Sequence, residues 1–151
     1  MKTIFILHFA FFVLLFSVGK AQDTIYVPQD FASIQQGIDA AVDNDVVLVS
    51  EGIYLENINF NGKAITVASF YLIDGSESHI DNTIIDGGQN GPVVTFNTAE
   101  DSTSVLCGFT ITGGTGMTET DYGARIGGGI VCYYAAAKII RLGRVATQMS
   151  G

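Results

Sequence analysis

Residues 57–69, NINFNGKAITVAS, decide the fold. Two short apolar-alternating runs, NINF and ITVAS, flank Asn61-Gly62. Taken alone, that step predicts a β-hairpin, because Asn and Gly accept the positive φ angles of a type I′ turn. The chain around it argues differently. Further β-branched runs follow one another between Gly, Asn and Asp residues: VVLVS (46–50), TIIDG (83–87), VVTF (93–96), FTITG (109–113) and GGIVC (128–132). No helical pattern lies among them. ITVAS, TIIDG and FTITG resemble each other, and runs recur at intervals of about 18–20 residues, from Val47 to Thr66 to Ile84 and from Ile111 to Ile130. A helix-free repeat of that size predicts stacked coils rather than a sandwich or barrel. In such a stack Asn61-Gly62 is a corner, and NINF and ITVAS are separate sides of the path.

Upstream of the runs the texture is different. TIYVP (24–28) alternates and stops at Pro28. DFASIQQGIDAAV then places Phe31, Ile34, Ile38, Ala41 and Val42 on one helical face, with Asp30 as the expected N-cap and an end at Asp43–Asp45. A stack of coils has an open end, and this amphipathic helix has the chemistry to cover it.

The first segment stands apart again. Lys2 precedes the apolar run IFILHFAFFVLLFSV, and Gly19 and Ala21 occupy the small positions of a cleavage site. The run is shorter than the roughly 18 residues of a membrane span. It predicts a secretory signal peptide over 1–21, which removes His8 from consideration. The positive mean hydropathy of +0.37 partly reflects this segment. The remaining organisation reads as a strand and cap helix over 22–45, coils over 46–134 and a distinct tail over 135–151.

All 15 Asp and Glu lie between Asp23 and Asp121, where Lys63 is the lone lysine. Such a body repels nucleic-acid phosphates. Export permits a disulfide between Cys107 and Cys132, but nothing fixes their separation, and packed free thiols are the other reading. Neither Cys has a His or Cys at metal-ligand spacing.

Together these residues resemble the opening of secreted right-handed parallel β-helix proteins of the pectin-lyase-like superfamily. The resemblance runs through the strand–Pro–IQ-helix start, VLV with Gly52, Tyr54 and Glu56, then KAITVAS, NTIIDGG (82–88), VVTF, LCGFTITGG (106–114) and GGGI (127–130), about three quarters of the chain. Pectin methylesterases share the opening. The resemblance implies an all-β parallel β-helix of three to four coils behind an N-terminal cap helix. The tail AAAKIIRLGRVATQMSG departs from it, with three basic residues, no acidic residue and no Asn. That switch suggests either a terminus with its own capping role or the truncated or frameshifted front of a longer bacterial secreted protein.

No catalytic, cofactor-binding or metal-binding set emerges. The catalytic aspartates of the esterases, with their glutamine and arginine partners, have no counterpart here, so Glu56 reads as a turn or strand-edge residue. Pectate lyases on this fold use calcium. Asp74, Glu77, Asp81 and Asp86 cluster in sequence, but at no recognised calcium-loop spacing, and read as a solvated loop with His79. Lys63 and Arg125 are basic candidates without a positioning partner. The glycines of 113–116 and 127–129 match no phosphate loop and read as corners and a flexible loop over TGMTETDYGARIG. Tyr54, Tyr71, Tyr122, Tyr133 and Tyr134 are candidates for stacking on sugars. The expectation is a non-catalytic secreted or cell-surface scaffold, with extracellular polysaccharide as its partner. The alternative is the front of a polysaccharide lyase or esterase whose catalytic coils are missing.

Overall fold

The computed structural model describes residues 21–118 and 125–147. The proposed signal peptide, except Ala21, lies outside them, and so does Tyr122. Among the described residues, no helix is long and apolar enough to cross a membrane.

The chain is strand-rich, and its strands lie mainly in parallel sheets. β1 (Thr24–Val27), β2 (Val46–Val49), β5 (Thr66–Ser69), β8 (Val105–Cys107) and β13 (Lys138–Ile140) form a five-stranded sheet in that spatial order. A four-stranded sheet holds β3 (Gly52–Leu55), β6 (Thr83–Asp86), β9 (Thr110–Gly114) and β14 (Val145–Thr147). A three-stranded sheet holds β4 (Ile58–Asn59), β7 (Val94–Phe96) and β12 (Ile130–Cys132). Every pairing in these sheets is parallel. From β2 onward the chain visits the five-, four- and three-stranded sheets in rotation. The exception is an antiparallel pair, β10 (Met117–Thr118) with β11 (Arg125–Ile126), inserted before β12. The ends of the expected flexible loop are therefore paired.

Because the pairing is parallel and in register, like side chains stack in columns. Ile25, Val47, Val67, Leu106 and Ile139 form one column; Tyr54, Ile85 and Ile111 form a second; Ile58, Val94 and Ile130 form a third. Val47, Val67, Leu106, Ile85, Ile111 and Val94 are fully buried in one shared core. Each such side chain contributes about 1.5–3 kcal/mol through burial. Phe60 and Phe96, also fully buried, meet with ring centroids 4.4 Å apart.

The expected repeat interval is corrected. Val47 pairs with Val67, not Thr66, and Val67 pairs with Leu106, an interval nearly twice as long. Thr66 and Ile84 lie in different sheets. Pairing constrains the strands and not the connections, so corners of unequal length leave the columns intact.

Asn61-Gly62 is not a hairpin. Both residues have positive φ, 54° and 75°, and the Lys63 N–H closes the turn on the Phe60 carbonyl at 3.1 Å. The local geometry is that of a tight turn, yet β4 and β5 enter different sheets.

The N-terminal helix is shorter than expected. α1 spans Ile34–Ala40, with Ser33 as N-cap accepting from the Gln36 N–H. Asp30 instead closes the turn after β1, its carboxylate accepting from the Tyr26 N–H at 2.7 Å. Val42 lies beyond the helix and is 42 % exposed, because its N–H is drawn to the Asp45 carboxylate. Ile34, Ile38 and Ala41 do join the core, and α1 packs over β1, β2 and β4. Gly37 permits that approach: a Cβ there would sit 2.9 Å from Val47 Cγ1.

Two further helices contradict the expectation of none. α2 (Tyr71–Asp74) and α3 (Glu77–Asn82) form an excursion between β5 and β6. Each is one turn or little more, too short for a periodic pattern. Gly75, at φ 71°, stops α2 in the left-handed conformation that glycine adopts without strain. Strands β3, β8, β13 and β14 also escaped the sequence reading, and the last two arise from the compositionally distinct tail.

Candidate functional site

Glu56, the charged residue of the shared opening, follows β3. Its two carboxylate oxygens accept the Ile34 and Gln35 N–H groups at 2.9 and 3.0 Å. These are first-turn donors with no partner inside α1. A carboxylate there also meets the positive end of the helix dipole.

Lys63 performs the opposite task at the other end. Its ammonium donates to the carbonyls of Ile38, Asp39 and Ala41 at 2.7, 2.6 and 2.8 Å. Those three bonds use all three of its protons on carbonyls at and beyond the last turn. Lys63 therefore has positioning partners that sequence spacing could not reveal.

Gln35 completes the attachment. Its side-chain oxygen accepts from the Asn59 N–H at 2.7 Å, and its amide nitrogen donates to the Asn59 carbonyl at 3.1 Å. This pair of bonds imitates a neighbouring strand along the outer edge of β4. Glu56, Lys63 and Gln35 thus fix α1 to the neighbouring strands and corners mainly through backbone groups, with Gln35 Nε2 also donating to Asp39 Oδ1 at 2.8 Å.

Glu100 is a buried acid that sequence reasoning missed, as Asp45 is beside α1. It is 3 % exposed, and its carboxylate accepts from Gly62 N–H at 2.9 Å and Thr98 N–H at 2.7 Å. The Asn61-Gly62 corner thus rests on the 97–100 corner, where a Cβ at Gly62 would meet the Thr98 side chain and carbonyl at 3.1 Å. No signal in the sequence separates Glu100 from the exposed Asp101 beside it.

The acidic run from Asp74 to Asp86 does not converge. Asp86 Oδ1 accepts from Gly88 N–H at 2.9 Å, and Gly113 approaches it so closely that a Cβ would collide with the carboxylate. Glu77 pairs with Arg141 at 3.2 Å, and Asp81 lines a neighbouring hollow of about 240 Å³ with Ile80, Leu142 and Gly143. Asp74 turns to His79, whose Nε2 lies 3.1 Å from Asp74 Oδ2; its Nδ1 lies 2.8 Å from Glu51 Oε1. Among the described residues, no three His, Cys, Asp or Glu side chains are placed to hold a metal ion.

Cys107 is buried and Cys132 exposed, and both are unbridged. Burial pushes both thiols up, and the Glu100 charge adds to the rise at Cys132. Neither environment favours a nucleophilic thiolate. Of the tyrosines, Tyr54 donates to the Ser50 carbonyl at 2.9 Å, and Tyr71 is hydrogen-bonded to Arg141. Tyr133 and Tyr134 are 43 % and 84 % exposed and meet edge to face at 4.4 Å. Tyr134 adopts φ 53°, uncommon for an aromatic residue. Arg125 lies in β11. No family model, curated protein or solved structure matches the chain.

Proposed function

We propose that the chain is a non-catalytic scaffold of a secreted or cell-surface protein, wound as a right-handed parallel β-helix of the pectin-lyase-like kind, with extracellular polysaccharide as its partner. The winding is supported by the rotation of the chain through three parallel sheets and by the stacked columns within them. One observation carries the scaffold reading: the charged residues of the resemblance are engaged in holding the backbone. Glu56 and Lys63 bind the two ends of α1, and Asp86 closes its own turn. The exposed pair Tyr133–Tyr134 offers apolar ring area beside polar edges, the chemistry that packs against sugar rings.

A glycan array probed with the chain tests this reading. Binding that is lost in a Tyr133→Ala, Tyr134→Ala double variant is the expected result. Absence of binding to any glycan overturns the polysaccharide assignment. Turnover of pectin or alginate, with or without calcium, that disappears in Asp86→Ala overturns the non-catalytic one.

A further inference from the structure

The α2–α3 excursion reaches every strand of the four-stranded sheet or the segment leading into it. His79 meets Glu51, the residue before β3. Asn82 runs directly into β6. The Ile80 carbonyl accepts from Thr110 Oγ1, at the start of β9, at 2.9 Å. Glu77 and Tyr71 hold Arg141, ahead of β14. The excursion is a strap laid across the sheet, and its attachment to the first strand passes through His79.

That attachment depends on protonation for a geometric reason. Both ring nitrogens of His79 face carboxylate oxygens. An ionised carboxylate only accepts hydrogen bonds, so both contacts require a proton on each nitrogen. A neutral imidazole carries one proton and can satisfy one carboxylate, leaving the other oxygen facing a nitrogen lone pair. We propose that His79 is a pH-sensitive latch, closing the α2–α3 strap onto the turn before β3 when protonated and releasing it when neutral.

The surroundings are consistent with this assignment. On α2 the facing charge is Asp74; Tyr71 on that helix is engaged by Arg141. On α3 itself, Glu77 is paired with Arg141 and Asp81 is exposed. On β6, Asp86 is turned to Gly88. Neither β9 (TITGG) nor β5 (TVAS) carries a titratable group. The Phe70 ring lies 6.0 Å from the imidazole. The hydrogen bond to Asp74, and next that to Glu51, raise the His79 pKa above its ordinary value against the opposing effect of desolvation. Asp74 is held below the ordinary carboxylate value, first by the Ser76 N–H and then by His79.

The signs define a window. A raised histidine pKa contributes stability below the unfolded value, and that contribution is lost as pH rises through the folded one. A depressed Asp74 contributes stability above its unfolded value, lost as pH falls through its folded one. The latch is closed between the two.

Hydrogen exchange over Tyr71–Asn82, corrected for intrinsic rates and followed from pH 5.5 to 8.5, reads the latch directly. The chain has two histidines, His8 and His79, and the NMR signal lost in His79→Gln assigns the His79 imidazole titration. In the native chain the exchange is expected to quicken several-fold as His79 loses its proton. In His79→Gln it is expected to be the same at both ends of the range, and in Glu51→Ala fast at both. The His79 midpoint is expected to fall towards its ordinary value in Glu51→Gln. Protection that ignores pH in the native chain, pH dependence that survives in His79→Gln, or a native His79 titrating at or below the free value would each overturn the proposal.

Discussion

At the scale of single residues, Glu56 and Lys63, charges of the shared opening, act on backbone. Glu56→Ala removes the acceptor of two first-turn N–H groups and is expected to cost about 1–2 kcal/mol, as lost helix caps do. Lys63→Met strips three carbonyls of a charged donor and is expected to cost about 2 kcal/mol, a Tm fall on the order of 5–10 °C. Thermal melts followed by circular dichroism check both. A loss of glycan binding by either variant at temperatures where it remains folded would show a role beyond structure. Gly62→Ala places a side chain at φ 75° and against Thr98, and is expected to lower stability by about 1–3 kcal/mol. The turn at Gly62 was legible beforehand; the roles of Glu56 and Lys63 were not. Glu56 finds its partners 22 and 21 positions back along the chain, and Lys63 finds its own 25, 24 and 22 positions back. Periodicity cannot report pairings that only the folded chain creates.

At the scale of elements, α1 does more than cover apolar surface. Through Gln35 it shields the outer edge of β4 as a strand would. Gln35→Ala leaves the Asn59 N–H and carbonyl without those bonds, and open strand edges promote pairing between molecules. Light scattering on heating is expected to rise earlier for this variant than for Ser33→Ala, which weakens the same helix without baring the edge; equal onset for the two would remove the edge argument. The elements were unevenly legible. VVLV, VTF and TIID announce themselves because their β-branched runs are buried and bounded by turn residues. GIYL does not: Ile53 and Leu55 point outward, 73 % and 74 % exposed, so its alternation is apolar throughout. KII lies in a basic tail whose composition masked its pairing with β8. α2 and α3 are too short for a helical period, and their boundary rests on a single glycine.

At the scale of the whole molecule, one core runs through all three sheets. Ile34 and Ile38 of α1 belong to the same buried cluster as Phe109 and Ile111. A defect in the middle is therefore expected to spread. Phe96→Ala opens a cavity against Phe60 and is expected to cost about 3–5 kcal/mol. Melts read separately by far-ultraviolet dichroism and by tyrosine fluorescence are expected to shift together; separate transitions would show that the levels unfold independently. The sheets and their rotation were partly foreseeable from recurring runs, whereas the spacing was not, because columns register on strands and tolerate corners of any length.

The bonds that hold α1 and its neighbouring corners also impose an order in time. A helix of seven residues does not persist alone. α1 gains its N-terminal acceptor only after Glu56 has been made and its C-terminal donor only after Lys63. The corner at Gly62 then waits for Glu100, and the Glu100 carbonyl for the Ala136 N–H. Each completed piece depends on one synthesised later. A nascent chain stalled before residue 56 would therefore hold Ile34 and Ile38 with neither end of their helix secured, a state for a chaperone to shelter until the rest of the polypeptide emerges.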